Sequence, residues 1–171
     1  MVVRAVADND SGPLIDLITS CWADYPGCVM DVDEEEPWLR APATAYRTWG
    51  ARMWVVTLDE ILVACVGLKP AGESAELKSL YVAAAARRRG LGERLTRLVE
   101  DEARRCGCRR LELWSDSRFT DAHRLYERLG YRRLPDTREL HDVSGTVEVH
   151  YDTSLEPASL GHVPETPRWR Q

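Results

Sequence analysis

The sequence predicts an α/β fold of the α+β kind, a mixed sheet carrying helices on both faces. Three observations lead there. Short apolar, β-branched runs separated by turn residues crowd residues 54–82. Beyond Gly90 the apolar period changes to 3.6. From Leu111 onward strand and helix patterns alternate until about Thr153.

An apolar run at 2–6 reads as the first strand. Asn9, Asp10 and Ser11 offer N-caps, Pro13 suits an early helical position, and Leu14, Leu17, Ile18 and Cys21 repeat at helical spacing. The following stretch holds turn residues, acids and Trp38 without a clear period, and 43–52 suit a second helix. Runs at 54–58 and 61–68 flank Asp59 and Glu60 as a hairpin, and 75–82 make a fourth strand after Pro70, Ala71 and Gly72. Leu91, Leu95, Leu98, Val99, Ala103 and Cys106 draw one apolar stripe on a helix ending near Gly107. A fifth strand at 111–114 and a helix at 121–129, closed by Gly130, come next. Strands near 131–134, 137–141 and 146–153 complete the order, with a turn at 142–145. From Glu156 the chain has three prolines and little periodicity. Residues 1–155 are therefore expected to form one domain and 156–171 a poorly ordered tail.

A chain of 171 residues, 44% apolar and 30% charged, can bury a real core and does not resemble a disordered polymer. No stretch approaches the ~18 uninterrupted apolar residues of a membrane span, and the first residues lack an apolar signal core. Five cysteines without a CxxC pair or nearby histidines fit reduced thiols, so neither a disulfide framework nor a metal site is expected and the location reads as cytoplasmic. The net charge of −5 hides an asymmetry. Residues 8–60 hold eleven acids and three bases, and residues 83–110 hold nine arginines and four acids. The basic residues lie in one short stretch without a nucleic-acid-binding motif, so no nucleic-acid partner is expected.

That stretch carries the chemistry. A strand ends at Val82, and Arg87, Arg88, Arg89, Gly90, Leu91 and Gly92 open an amphipathic helix. Glycines there let backbone amides face a ligand, and a helix start leaves amides unpaired with a partial positive charge. The combination suits a phosphate or pyrophosphate. The P-loop spacing fails for want of Gly-Lys-Ser/Thr, and the dinucleotide fingerprint fails at Leu95.

At these residues the sequence resembles the GNAT superfamily of N-acetyltransferases. The R/Q-x-x-G-x-G/A signature matches Arg87, Gly90 and Gly92, and A-x-x-L-Y-x-x-x-G-F/Y matches Ala122, Leu125, Tyr126, Gly130 and Tyr131. The resemblance covers about residues 54–152. It implies a mostly antiparallel sheet with splayed central strands, acetyl-CoA as cofactor, and direct transfer of the acetyl group to a primary amine. It also implies that amides of 87–92 hold the CoA pyrophosphate, that backbone at Leu80, Tyr81 and Val82 pairs with pantetheine, and that Tyr126 protonates the leaving thiolate. Where some members carry a catalytic carboxylate stands Glu76, either a general base or a strand acid paired with Lys78. Many relatives place Asn where this chain has Phe119, so that contact is expected to be lost or moved to Asp116 or Ser117. A homodimer through the late strands is compatible with the resemblance.

In such proteins the connection after the first helix lines the acceptor site. Here it holds Asp31, Asp33, Glu34, Glu35 and Glu36 between Tyr25 and Trp38, which would attract a small cationic amine. His141, beside Asp142, and His150 are further residues that could face the acceptor, while Asp142 also suits a turn cap. His123 reads as solvated or structural. The rival readings are a protein N-terminus or lysine as acceptor, a non-catalytic CoA-sensing module, and a basic-patch interaction domain.

Overall fold

The computed structural model describes residues 1–155, so the tail expected at 156–171 lies outside the described residues. After β1 (Val2–Ala5) come α1 (Ser11–Trp22) and α2 (Pro42–Thr48), then β2 (Arg52–Leu58), β3 (Ile61–Ala71) and β4 (Ser74–Val82). Next stand α3 (Leu91–Arg105), β5 (Arg110–Asp116), α4 (Thr120–Arg128), β6 (Arg132–Glu139) and β7 (Val147–Ser154). The seven strands form one sheet in the order β1-β2-β3-β4-β5-β7-β6. All neighbours pair antiparallel except β4 and β5, which run parallel through the α3 crossover.

Because successive strand side chains point to opposite faces, β2 and β3 feed two cores. Val55 and Cys65 reach one face, where Leu14, Leu17 and Ile18 of α1 and Tyr46 of α2 cover them. Val56, Ala64, Val66 and Leu68 reach the other, beneath Leu91, Leu95 and Val99 of α3. Of the stripe expected on α3, Leu91, Leu95, Val99 and Ala103 are buried and Leu98 is half-buried, while Cys106 lies past the helix end and is exposed.

Three local expectations change. Asp10 stands at the N-cap position of α1 but gives that helix no side-chain bond, because its carboxylate takes Arg4 Nη1 and Nη2 at 2.7 Å and the Ala7 amide at 2.8 Å. The second helix ends at Thr48, since Gly50 turns left-handed (φ 65°) and Arg52 already belongs to β2. The two strands expected at 131–134 and 137–141 are one strand, β6, running through Pro135. It lies at the sheet edge, where a missing N–H breaks no outer ladder, and its pairing with β7 shifts register between Arg133 and Thr137.

Candidate active site

The site begins where β4 and β5 part. They pair only at Ser74–Arg110, Ala75–Leu111 and Glu76–Glu112. Beyond that β5 continues along β7 and β4 along β3, so β4 from Leu77 onward has no ladder partner toward β5. A bulge sharpens the parting. Tyr81 stands opposite Cys65 and Lys78 opposite Gly67, so Ser79 and Leu80 together face Val66, with Ser79 at φ 52°. Tyr46 props the bulge, its hydroxyl 3.0 Å from Ser79 Oγ. Its ring lies so close over Gly67 that a Cβ there would stand 2.6 Å from ring atoms. The close approach explains the glycine.

On one side of the parting lies a cleft of about 550 Å³ against the start of α3. Gly90 (φ 74°) precedes the helix and no side chain caps it, so the Leu91, Gly92 and Glu93 amides have no intrahelical acceptor. Gly92 packs tightly, since a Cβ there would meet Leu125 Cδ2 of α4 at 3.1 Å and the leucine would have to give way. Arg87, Arg88, Arg124 and Arg128 line the cleft against two acids, Glu93 and Asp121. Arg87 is fastened: Nε donates to the Val82 carbonyl at 2.8 Å and Nη1 to Asp24 at 2.6 Å. Its side chain therefore ties the turn to β4 and α1, and the Val82 carbonyl is already engaged. Leu80, Tyr81, Val82, Leu91 and Gly92 also line the cleft. Arg89 and Ser117 do not. Both are exposed, and the Ser117 amide is spent on the Val147 carbonyl at 2.8 Å.

Leu80, Tyr81, Phe119 and Ala122 are shared with a second cavity of about 270 Å³. Tyr126 lines it, and none of the described residues hydrogen-bonds its hydroxyl. Burial raises the Tyr126 pKa. Trp22, whose Nε1 donates to the Tyr81 hydroxyl at 3.1 Å, and Trp114 add aromatic wall. Five carboxylates line this cavity (Glu35, Glu36, Asp116, Asp142 and Glu148), and no lysine, arginine or histidine does among the described residues.

The acceptor residues named from sequence shift by one or two positions. Asp33 is exposed and bonds Arg40 at 2.7 Å, and Glu34 faces solvent, so Glu35 and Glu36 take their place at the cavity. Trp38 stands behind the wall, its Nε1 donating to the Glu36 carboxylate. His141 is exposed and its neighbour Asp142 lines the cavity, its Oδ1 accepting the Thr146 amide at 2.8 Å as a turn cap. Glu76 lines neither cavity and takes the Lys78 ammonium at 3.0 Å. His123 is buried, and burial lowers its pKa. His150 stacks on Trp114 at 4.2 Å, outside both linings. The cavity-lining roles of Cys28, Trp114, Arg124, Arg128 and Glu148 had no signal in the sequence, because they depend on which strand and helix faces meet.

The model of the acetyltransferase (GNAT) family matches residues 14–131. The chain belongs to this family. A relative in Escherichia coli K12, described as the uncharacterized N-acetyltransferase YjgM, is 27% identical over 139 residues, 78% of this chain and 83% of that protein. An acetyltransferase of Streptococcus agalactiae superposes with a TM-score of 0.76 at 18% identity, covering 90% of this chain and 98% of that one. The acetyltransferase yncA of Salmonella typhimurium, solved with acetyl-CoA, superposes at 0.67 and 18% identity, covering 95% and 98%. As a GNAT N-acetyltransferase the protein has the expected mostly antiparallel sheet parted between β4 and β5. No helix among the described residues is long and apolar enough to cross a membrane.

Proposed function

We propose that the protein transfers the acetyl group of acetyl-CoA directly to the primary amine of a small cationic molecule. The observation that carries this reading is the opposite charge of two cavities that share a wall: among the described residues four arginines and two acids line one, and five carboxylates with no lysine, arginine or histidine line the other. A pyrophosphate suits the first and an ammonium the second. The acetyl-CoA held by the Salmonella neighbour supports the choice of donor.

In this reading the open amides at the start of α3, with Arg88 and Arg128, hold the pyrophosphate while Arg87 fixes the turn. The free edge of β4 at Leu80 and Tyr81 pairs with the pantetheine arm and presents N–H groups to the acetyl carbonyl. Acetyl-CoA supplies a thioester whose carbonyl carbon accepts the amine. Tyr126 gives its hydroxyl proton to the departing sulfur. Burial disfavours its phenolate and would equally disfavour a thiolate left in the same cavity, so the proton passes between two groups under the same penalty. Small acceptors fit the closure of the acidic cavity. Glu35 accepts the Val143 amide at 2.6 Å and Ser144 Oγ bonds Val29 at 2.8 Å, clasping the loop after α1 to the β6–β7 turn.

Titration calorimetry with acetyl-CoA on the wild type and on the double variant R88E/R128E tests the reading, followed by thiol release with a panel of amines. Saturable binding weakened at least ~10-fold in the variant, with turnover on cationic amines, is expected. Absence of binding by the wild type overturns it.

A further inference from the structure

We propose that Glu36, on the loop after α1, is the group that takes the proton from the incoming amine. The inference rests on the acyl-transfer reading above and adds the base that it lacks. Glu36 lines the same 270 Å³ cavity as Tyr126 and the Ser79–Tyr81 bulge, so its carboxylate and the proposed acid face one space. Glu76, the strand carboxylate expected from the family resemblance, lines neither cavity and is bound to Lys78.

Of the other carboxylates around the cavity, two are ion-paired and two tie loop backbone in place. Asp116 is held by Arg118 at 2.6 Å, Asp142 by the Thr146 amide, Glu35 by the Val143 amide, and Glu148 by Arg138. Glu36 accepts one indole N–H from Trp38 through Oε2 and has no cation in contact among the described residues. Trp38 is fixed in turn against Tyr46 and Trp49, at centroid distances of 5.5 and 6.2 Å. The titratable groups around Glu36 are Glu35 on its own loop, Lys78 and Tyr81 on β4, Tyr46 on α2 and Glu148 on β7. Burial raises the Glu36 pKa above the ordinary glutamate value, with Glu35 and Glu148 adding to the rise and Trp38 and Lys78 opposing it. A carboxylate raised toward neutrality is a better match for receiving an ammonium proton than a fully solvated one.

The proton inventory closes. The acceptor ammonium gives one proton to the Glu36 carboxylate, which passes it to solvent. The freed lone pair forms the C–N bond, the C–S bond breaks, and the sulfur takes the Tyr126 proton. Tyr126 regains a proton from the nitrogen as the amide forms. One proton is released per transfer.

The test compares wild type, E36Q and E76Q for the pH dependence of kcat and acceptor KM on an amine that the wild type acetylates. Acetyl-CoA affinity and tryptophan emission are followed from about pH 4 to 8. For E36Q, kcat is expected to fall on the order of 10²-fold, the rise of rate with pH to vanish, and acetyl-CoA affinity to stay unchanged. The wild-type emission step reporting Glu36 beside Trp38 should also be lost, and E76Q should keep the wild-type profile. A change in E36Q confined to acceptor KM, or the loss of the pH-dependent rise in E76Q instead, overturns the assignment. Binding of acetyl-CoA by a wild type that acetylates no amine overturns the acyl-transfer reading, and this assignment falls with it.

Discussion

Tyr126 and Glu36 show what single residues contribute. Tyr126 stands in the core with its ring 5.7 Å from that of Tyr131 and 5.9 Å from that of Tyr151, so its position does not depend on its hydroxyl. The Y126F variant should therefore fold and bind acetyl-CoA as the wild type does while kcat drops on the order of 10²-fold, measured by calorimetry beside steady-state kinetics. Glu36 makes an opposite kind of prediction, about stability. Its folded pKa lies above its unfolded one, so the folded state binds the proton more tightly and loses stability as pH rises from the unfolded toward the folded value. The loss persists at higher pH. E36Q should accordingly melt above wild type near pH 8, with the difference vanishing near pH 4, by thermal scans at both pH values. The motif spacing placed Tyr126 from sequence. The acceptor acids were legible only as a run: Asp33 and Glu34 lie beside Glu35 and Glu36 in the chain, but an irregular loop has no period to say which two point inward.

At the scale of elements, the parting of β4 from β5 is sharpened by a bulge, and a ring props the bulge. Tyr46 of α2 lies over Gly67 of β3 and bonds Ser79 at the bulge. G67A would push a methyl into that ring, a packing conflict of about 1–3 kcal/mol. Its expected signature is a lower melting temperature together with weaker acetyl-CoA binding, since the free edge of β4 moves with Ser79. Leu95, fully buried on α3, separates packing from site geometry. L95A should cost about 2–5 kcal/mol by urea unfolding, with binding per folded molecule retained. Nearly every element could be found from its period, because apolar side chains repeat at 2 or 3.6 residues wherever one face is buried. The bulge could not. It follows from the match of register between two strands and a helix that neither strand specifies alone.

For the molecule as a whole, the sequence carried an acidic N-terminal portion and an arginine-rich stretch, and the fold sets Glu35 and Glu36 of the first and Arg87 and Arg88 of the second on two cavities that share one wall, where acids and arginines from later elements join them. Charge attraction across a cleft open to water is screened over ~10 Å at 0.1 M salt. Acceptor KM should thus rise several-fold between about 0.02 and 0.2 M salt, and somewhat less for E36Q, in which the other carboxylates remain, while a neutral acceptor amine shows no such rise. Some of this architecture was fixed by the chain as a string: the order of strands and helices, the two-faced sheet, the glycine-opened helix start and Tyr126 all rest on local spacing. The tertiary structure decided the rest. It turned Arg87 into a fastening of Val82 and Asp24, drew Arg124 and Arg128 from α4 into the cleft at the start of α3, and left Glu76 on Lys78. Spacing along a chain reports which face a residue shares with its neighbours. Which partner occupies that face depends on contacts between segments tens of residues apart, and those exist only once the sheet has closed.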